Sequence, residues 1–158
     1  MSEQLKVGIS DYKVTKAPNT LITLGLGSCV GIAIYDRETK IGGLSHIMLP
    51  DSKSFSNNIK VEKFADLAIP AMVDEILNKS KNKNLVAKIA GGASMFNFSD
   101  SNLNIGKRNI EAVENILKEL KIPILAKDTG GNTGRTMIVS LDSFDVDIRM
   151  VNGNIKTL

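Results

Sequence analysis

The arrangement of the chain is most clearly set by residues 30–49, VGIAIYDRETKIGGLSHIML. Two apolar runs, Val30–Tyr35 and Ile41–Leu49, flank the polar segment 36–40, which is the pattern of two strands joined by a turn. If the strands pair antiparallel through a two- or four-residue loop, Gly31 lies opposite His46, and Cys29 opposite Met48. A three-residue loop would turn one strand over, so this register is a testable prediction.

This register brings together the chain's one cysteine and one histidine. Cys29 and His46 become diagonal neighbours on one face, with backbones about 7–8 Å apart. Gly31, opposite His46, would leave room for the ring to lean over the sheet. An imidazole beside a thiol favours the thiolate and can later protonate a leaving group. A lone cysteine or a lone histidine more often only packs, but the pair predicts a cysteine hydrolase.

Cys29 lies in a glycine-rich segment, residues 23–31, TLGLGSCVG. Glycine permits positive φ and close backbone approach, and successive free N–H groups in such a turn can hold an oxyanion. We expect the turn at Gly27, Ser28 and Cys29 to position the substrate in this way. Thr23, on the preceding strand, is the candidate to orient His46, since no acidic residue is an obvious one.

Composition and spacing exclude several other functions. The formal net charge is only +3, and the lysines are scattered without a basic stripe or interleaved aromatic residues, so we expect no nucleic-acid partner. One cysteine forms no internal disulfide, no apolar run reaches membrane-spanning length, and the N-terminus shows no signal pattern. We therefore predict a cytoplasmic protein without membrane insertion. One cysteine and one histidine are too few ligands for a typical zinc site, and the glycine spacing does not fit a dinucleotide loop, so we expect no cofactor.

The rest of the chain predicts two helices and further strands. Helical spacing runs from Lys63 to Leu77, with Pro70 inside it, which predicts a kink or a late helix start. A second helix follows Asn104, a plausible N-cap. Its apolar side would carry Val113, Ile116, Leu117 and Leu120, and Glu114 and Lys118 would form a favourable pair.

Short strands are predicted at residues 85–90 and 122–126, and a hairpin at 137–141 and 144–150. The glycines at 91–92 and 130–131 are interpreted as tight turns at strand ends, with anion binding as the less favoured alternative. Many strands with two long helices predict an α+β fold. We expect one domain, residues 1–158, built as a layered sandwich of mixed β-sheet flanked by two main helices.

Several motifs resemble one family. They are TLGLGSCV at 23–30, HIMLPD at 46–51, KIAGGASMF at 88–96, NIG at 104–106 with Arg108 and Asn109, and DTGGN at 128–132. Together, and in this order, they resemble the CheD proteins, the chemoreceptor glutamine deamidases of bacterial and archaeal chemotaxis. The resemblance runs from about Gly8 to Arg135. The Asn97–Asn102 loop departs from the family pattern.

The resemblance implies that Cys29 is the nucleophile, His46 the general base and Thr23 the third member of the site. It implies a fold similar to that of deamidating toxins of the cytotoxic-necrotizing-factor type. The implied substrates are glutamine side chains on the cytoplasmic helices of methyl-accepting chemotaxis receptors, which become glutamates. The implied partner is a CheC-type phosphatase that acts on the phosphorylated response regulator CheY.

Two alternatives stay open at this point. The protein could be a mainly non-catalytic adaptor that binds receptors and the phosphatase. It could also use the same thiol for another acyl transfer, as a transglutaminase or a receptor methylesterase does.

Overall fold

The computed structural model describes residues 2–53, 55, 57, 59–94 and 104–158, so the Asn97–Asn102 loop lies outside the described residues. A 3₁₀ turn, Val61–Lys63, precedes the first helix. The elements are β1 Gln4–Lys6, β2 Asp11–Lys16, β3 Thr20–Leu26, β4 Val30–Asp36, β5 Ile41–Ile47, α1 Ala65–Ser80, β6 Leu85–Gly91, α2 Ile105–Glu119, β7 Ile124–Thr129, β8 Arg135–Ser140, β9 Val146–Met150 and β10 Ile155–Thr157.

The strands of the described chain form two five-stranded mixed sheets. One has the order β1-β3-β8-β9-β10 and the other β2-β5-β4-β6-β7. One buried core lies between the two sheets, and a second lies between the β4-containing sheet and the two helices. The predicted α+β layered sandwich is confirmed, with the mixed sheet present as two stacked sheets.

The β4–β5 hairpin has the predicted register. Gly31 lies opposite His46, and Asp36 lies opposite Ile41 across a four-residue turn. Cys29 does not enter the ladder, because β4 begins at Val30. The Cys29 carbonyl instead accepts a hydrogen bond from the Gly92 N–H at 2.8 Å. The predicted strand register is therefore confirmed, and Cys29 and Met48 lie one position beyond its last pair, Val30 with Ile47.

Alternation along β4 divides its side chains between the two cores. Ile32 and Ile34 face the helices, whereas Ala33 and Tyr35 face the other sheet. On β5, Leu44 faces the other sheet as well. His46 follows it by two residues and so points into the space between the sheets. The register thus decides that the histidine meets residues of β3 rather than the helices.

The two helices follow their predicted sites with local differences. In α1, which begins at Ala65, Pro70 lies inside the second turn, so the helix lacks one early hydrogen bond and the alternative of a late start caused by Pro70 is wrong. In α2, the Asn104 side chain accepts from the Lys107 N–H at 3.0 Å, which confirms the N-cap. No helix among the described residues is long and apolar enough to cross a membrane.

Two details of α2 were predicted wrongly. Leu120 is 38% exposed because it forms the C-cap rather than part of the apolar face, which is buried at Val113 and Leu117. Glu114 contacts Lys127 of β7 at 3.4 Å, where a pair with Lys118 was expected. The neighbouring strand offers a cation from outside the helix, which sequence spacing within the helix does not reveal.

Candidate active site

His46 is fully buried between the sheets and contacts Thr23 of β3. The Thr23 hydroxyl lies 2.7 Å from Nδ1 of His46 and 2.7 Å from the Val7 carbonyl oxygen. A carbonyl only accepts, so the single hydroxyl proton goes to Val7, and the hydroxyl oxygen must accept from Nδ1–H. This arrangement assigns the Nδ1–H tautomer and leaves a lone pair on Nε2.

Nε2 of His46 is buried and forms no hydrogen bond with the described residues. The Cys29 side chain is half-buried and packs against the same core between the sheets. The structure therefore brings Thr23 and His46 into direct contact and places Cys29 on the same side of the β4-containing sheet. An unpartnered, unprotonated ring nitrogen beside this core is a proton acceptor for a thiol or a water molecule.

Burial keeps both titratable groups of the site neutral at neutral pH. It lowers the pKa of His46 to about 4, because the buried imidazolium would lose its hydration. Burial also raises the pKa of the Cys29 thiol, an effect that its own backbone N–H partly opposes. The expected bias toward a thiolate is thus reversed, since desolvation of the sulfur outweighs any help from a neutral imidazole.

The turn that carries Cys29 begins at Gly25, whose φ of +71° lies in the left-handed region that glycine adopts more readily than other residues. The Gly27 N–H donates to the Gly25 carbonyl at 3.0 Å. The Ser28 N–H forms no hydrogen bond with the described residues. Of the residues expected to position substrate, Ser28 thus offers a free donor, whereas the Gly27 donor is already used inside the turn.

Neighbouring strand ends hold this turn in place. The Ala93 N–H donates to the Gly27 carbonyl at 2.8 Å, next to the bond between Gly92 and Cys29. A Cβ on Gly91, which has a φ of +108°, would collide with the Cys29 carbonyl oxygen. The Gly130 N–H in turn donates to the Gly91 carbonyl at 2.9 Å. The glycines at 91–92 and 130 are therefore strand-end turns, as favoured from the sequence, and they support the Cys29 turn.

Asn109 of α2 is a fully buried polar residue that the sequence reasoning did not single out for a role. Its Nδ2 donates to the Ser28 carbonyl at 2.9 Å and to the Met48 carbonyl at 3.0 Å. One amide group thus ties the cysteine turn to the segment that follows His46. A signal was present, because Asn109 lies four and eight residues before Val113 and Leu117 on the apolar face of the helix.

Glycine is needed at position 31 for a different reason from the one predicted. A Cβ at this position would lie 2.6 Å from the Met137 sulfur and 3.2 Å from Leu26. The space opposite His46 is therefore filled by side chains of the other sheet, not by the imidazole. The glycine allows the two sheets to approach each other closely beside the site.

The described residues contain no group of three His, Cys, Asp or Glu side chains placed to hold a metal ion.

Comparisons with known proteins agree with the motifs. A family model described as CheD chemotactic sensory transduction matches residues 48–150. That match begins after His46, so the similarity of the N-terminal third is shown by relatives that match nearly the whole chain. A protein named probable chemoreceptor glutamine deamidase CheD from Clostridium acetobutylicum is 54% identical over 99% of this chain and 96% of its own length.

Relatives with the same name come from Clostridium kluyveri, 54% identical over 99% of this chain and 98% of the relative, and from Moorella thermoacetica, 52% identical over 99% and 96%. The similarity thus covers the cysteine turn, the histidine strand and both helices. This chain belongs to the CheD family.

Proposed function

We propose that this protein hydrolyses glutamine side chains of methyl-accepting chemotaxis receptors to glutamate and ammonia, through a thioester on Cys29. The observation that carries the proposal is His46, with Nδ1 bound to Thr23 and a buried, unprotonated Nε2 on the side of the sheet where Cys29 lies. The names of the relatives support the choice of a receptor glutamine as the substrate.

The first step joins the Cys29 sulfur to the carboxamide carbon. Nε2 of His46 takes the proton of the Cys29 thiol as the sulfur attacks. The carbonyl oxygen gains the negative charge, and the Ser28 N–H is a free backbone donor of the turn that is available to it. Gly27 would contribute by shaping the turn, since its own N–H is engaged.

The second step breaks the carbon–nitrogen bond. A buried imidazolium whose pKa is about 4 is a strong acid, so it gives its proton readily to the departing amide nitrogen, and ammonia leaves. The thioester remains on Cys29. Nε2 of His46 then takes a proton from water, the resulting hydroxide attacks the thioester, and glutamate and the free thiol are restored.

The test is turnover of a purified receptor cytoplasmic domain that contains a target glutamine. We expect ammonia release together with replacement of the amide by a carboxyl group in the mass spectrum of the receptor. Hydroxylamine should intercept the thioester and yield a receptor hydroxamate. Cys29→Ala should abolish all three, and Leu125→Ser, an exposed position on β7, should abolish none.

Three results would overturn the proposal. Ammonia release at the wild-type rate by Cys29→Ala would exclude a thioester intermediate on Cys29. Receptor binding without turnover, and with chemotaxis unaffected by Cys29→Ala, would favour the adaptor alternative, in which a CheC-type phosphatase is the second partner. Incorporation of an amine or loss of a receptor methyl ester would instead identify another acyl transfer.

A further inference from the structure

An exposed groove that carries several large apolar side chains lies beside the proposed active site. It has a volume of about 420 Å³ and is lined by Ile9, Ser10, Met48, Phe55, Asn57, Ile59, Lys60, Lys63 and Phe64. Ile9 is 55% exposed, Phe55 47%, Ile59 37% and Met48 36%. Large apolar side chains that share one groove and remain in contact with water are typical of a protein-binding surface.

The groove adjoins the proposed catalytic groups. The Ser10 N–H donates to the His46 carbonyl at 3.0 Å. The Met48 and Ser28 carbonyl oxygens, at 3.0 Å and 2.9 Å from one Asn109 nitrogen, lie within about 5.9 Å of each other. One wall of the groove is therefore formed by the residue that follows the histidine strand, directly beside the cysteine turn.

The charge of the groove is of one sign. Lys60 and Lys63 line it, and none of its other lining residues is acidic. Neither lysine forms an ion pair with the described part of the chain, and the Lys63 ammonium lies 5.9 Å from the centre of the Phe64 ring. A bound segment that carries carboxylates would meet these two lysines next to the exposed apolar side chains of the groove.

We propose that this groove binds the receptor segment next to the target glutamine, as an amphipathic helix with apolar and acidic residues. Its apolar side would pack on Ile9, Met48 and Phe55, and its acidic side chains would meet Lys60 and Lys63. The inference rests on the proposed function, and it specifies where the substrate docks and which substrate side chains are recognised. The lysines select acidic flanking residues, and the apolar side chains of the groove select apolar ones.

The first experiment measures steady-state deamidation of a receptor cytoplasmic domain by Lys60→Glu/Lys63→Glu. We expect KM to rise roughly tenfold while kcat stays within about twofold, since the lysines act on docking and not on the reacting atoms. Wild-type KM should also rise with salt, and the salt dependence should weaken in the double variant. The matched control is Lys16→Glu/Lys83→Glu, which makes the same change of charge at the opposite end of the β4-containing sheet, near the β4–β5 turn.

A receptor in which acidic residues flanking the glutamine are changed to lysine should recover a low KM with Lys60→Glu/Lys63→Glu. The contribution of the apolar side chains in the groove is tested by Ile9→Ser, which should raise KM several-fold, whereas Leu125→Ser should not. Thermal melting identifies any variant that has merely unfolded.

A KM equal to the wild-type value in both Lys60→Glu/Lys63→Glu and Ile9→Ser would overturn the docking site. A fall in kcat at constant KM would also overturn it. In either case normal ammonia release by the wild type would leave the proposed function intact. Absence of ammonia release by the wild type itself would instead refute the proposed function.

Discussion

Thr23→Val tests the assignment of the histidine tautomer, on which the proposed chemistry depends. The substitution keeps the side-chain shape and removes one hydroxyl. It leaves the buried His46 Nδ1–H without an acceptor and the Val7 carbonyl without the hydroxyl donor, two groups that now lie 2.7 Å from the Thr23 oxygen. Each orphaned buried group costs roughly 1–3 kcal/mol, so we expect the free energy of unfolding to fall by about 3 kcal/mol.

The effect on turnover should exceed the effect of lost stability. Without the Thr23 oxygen nothing fixes the proton on Nδ1 of His46, and any molecule with the proton on Nε2 lacks the base. Loss of a correctly oriented general base costs about 10²-fold or more, so we expect kcat to fall roughly 100-fold. Thr23→Ser is the matched control, because it keeps the hydroxyl and loses only a methyl group.

The assay is ¹⁵N NMR of the imidazole, which is unambiguous because His46 is the only histidine. In the wild type we expect a protonated Nδ1, an unprotonated Nε2 and a titration midpoint near the pKa of about 4. A wild-type spectrum with the proton on Nε2 would refute the reasoning. So would an unchanged tautomer and unchanged kcat in Thr23→Val.

Three further predictions follow from the same geometry. Asn109→Ala should lower the free energy of unfolding in urea by about 2 kcal/mol and kcat/KM about tenfold, because the Ser28 and Met48 carbonyls lose their shared donor, whereas Asn115→Ala on the exposed side of α2 should change neither. His46 takes up its proton more readily when unfolded, so its contribution to stability is complete above pH 6.5 and lost as the pH falls toward 4. Relative to His46→Gln, the wild type should therefore lose roughly 3 kcal/mol across that interval, and equal pH profiles in urea titrations would contradict this. The rate of Cys29 alkylation should climb only in the alkaline range, since burial raises the pKa of the thiol, and a plateau already reached at neutral pH would contradict a neutral resting pair.

Local pattern was sufficient to predict the part of the fold that matters most for the site. The β4–β5 register follows from the length of one polar turn, and strand alternation then fixes the face on which His46 lies. Asn104 was identified as an N-cap for the same reason, since the signal and the structure it specifies lie within one turn of chain.

Features set by contacts between distant segments were not predicted correctly. Position 31 requires glycine because a Cβ there would collide with Met137 of the other sheet. Glu114 pairs with Lys127, which lies on a strand and not on the same helix. β1 and β10 have only three residues each and include exposed charged side chains, so their pattern is too short to predict a strand. Such elements form because an existing sheet edge pairs with them.

The use of a threonine at the third position is consistent with the neutral state of the whole site. A carboxylate bound to Nδ1 would raise the pKa of His46 and would itself be a buried charge, which is costly unless the imidazole is protonated. A hydroxyl fixes the same tautomer without introducing charge, so His46 stays neutral in the core between the sheets. The consequence is that the thiol is not activated in advance. In the proposed mechanism, charge would separate between Cys29 and His46 only as the sulfur attacks, when the Ser28 N–H would stabilise the negative charge on the substrate oxygen.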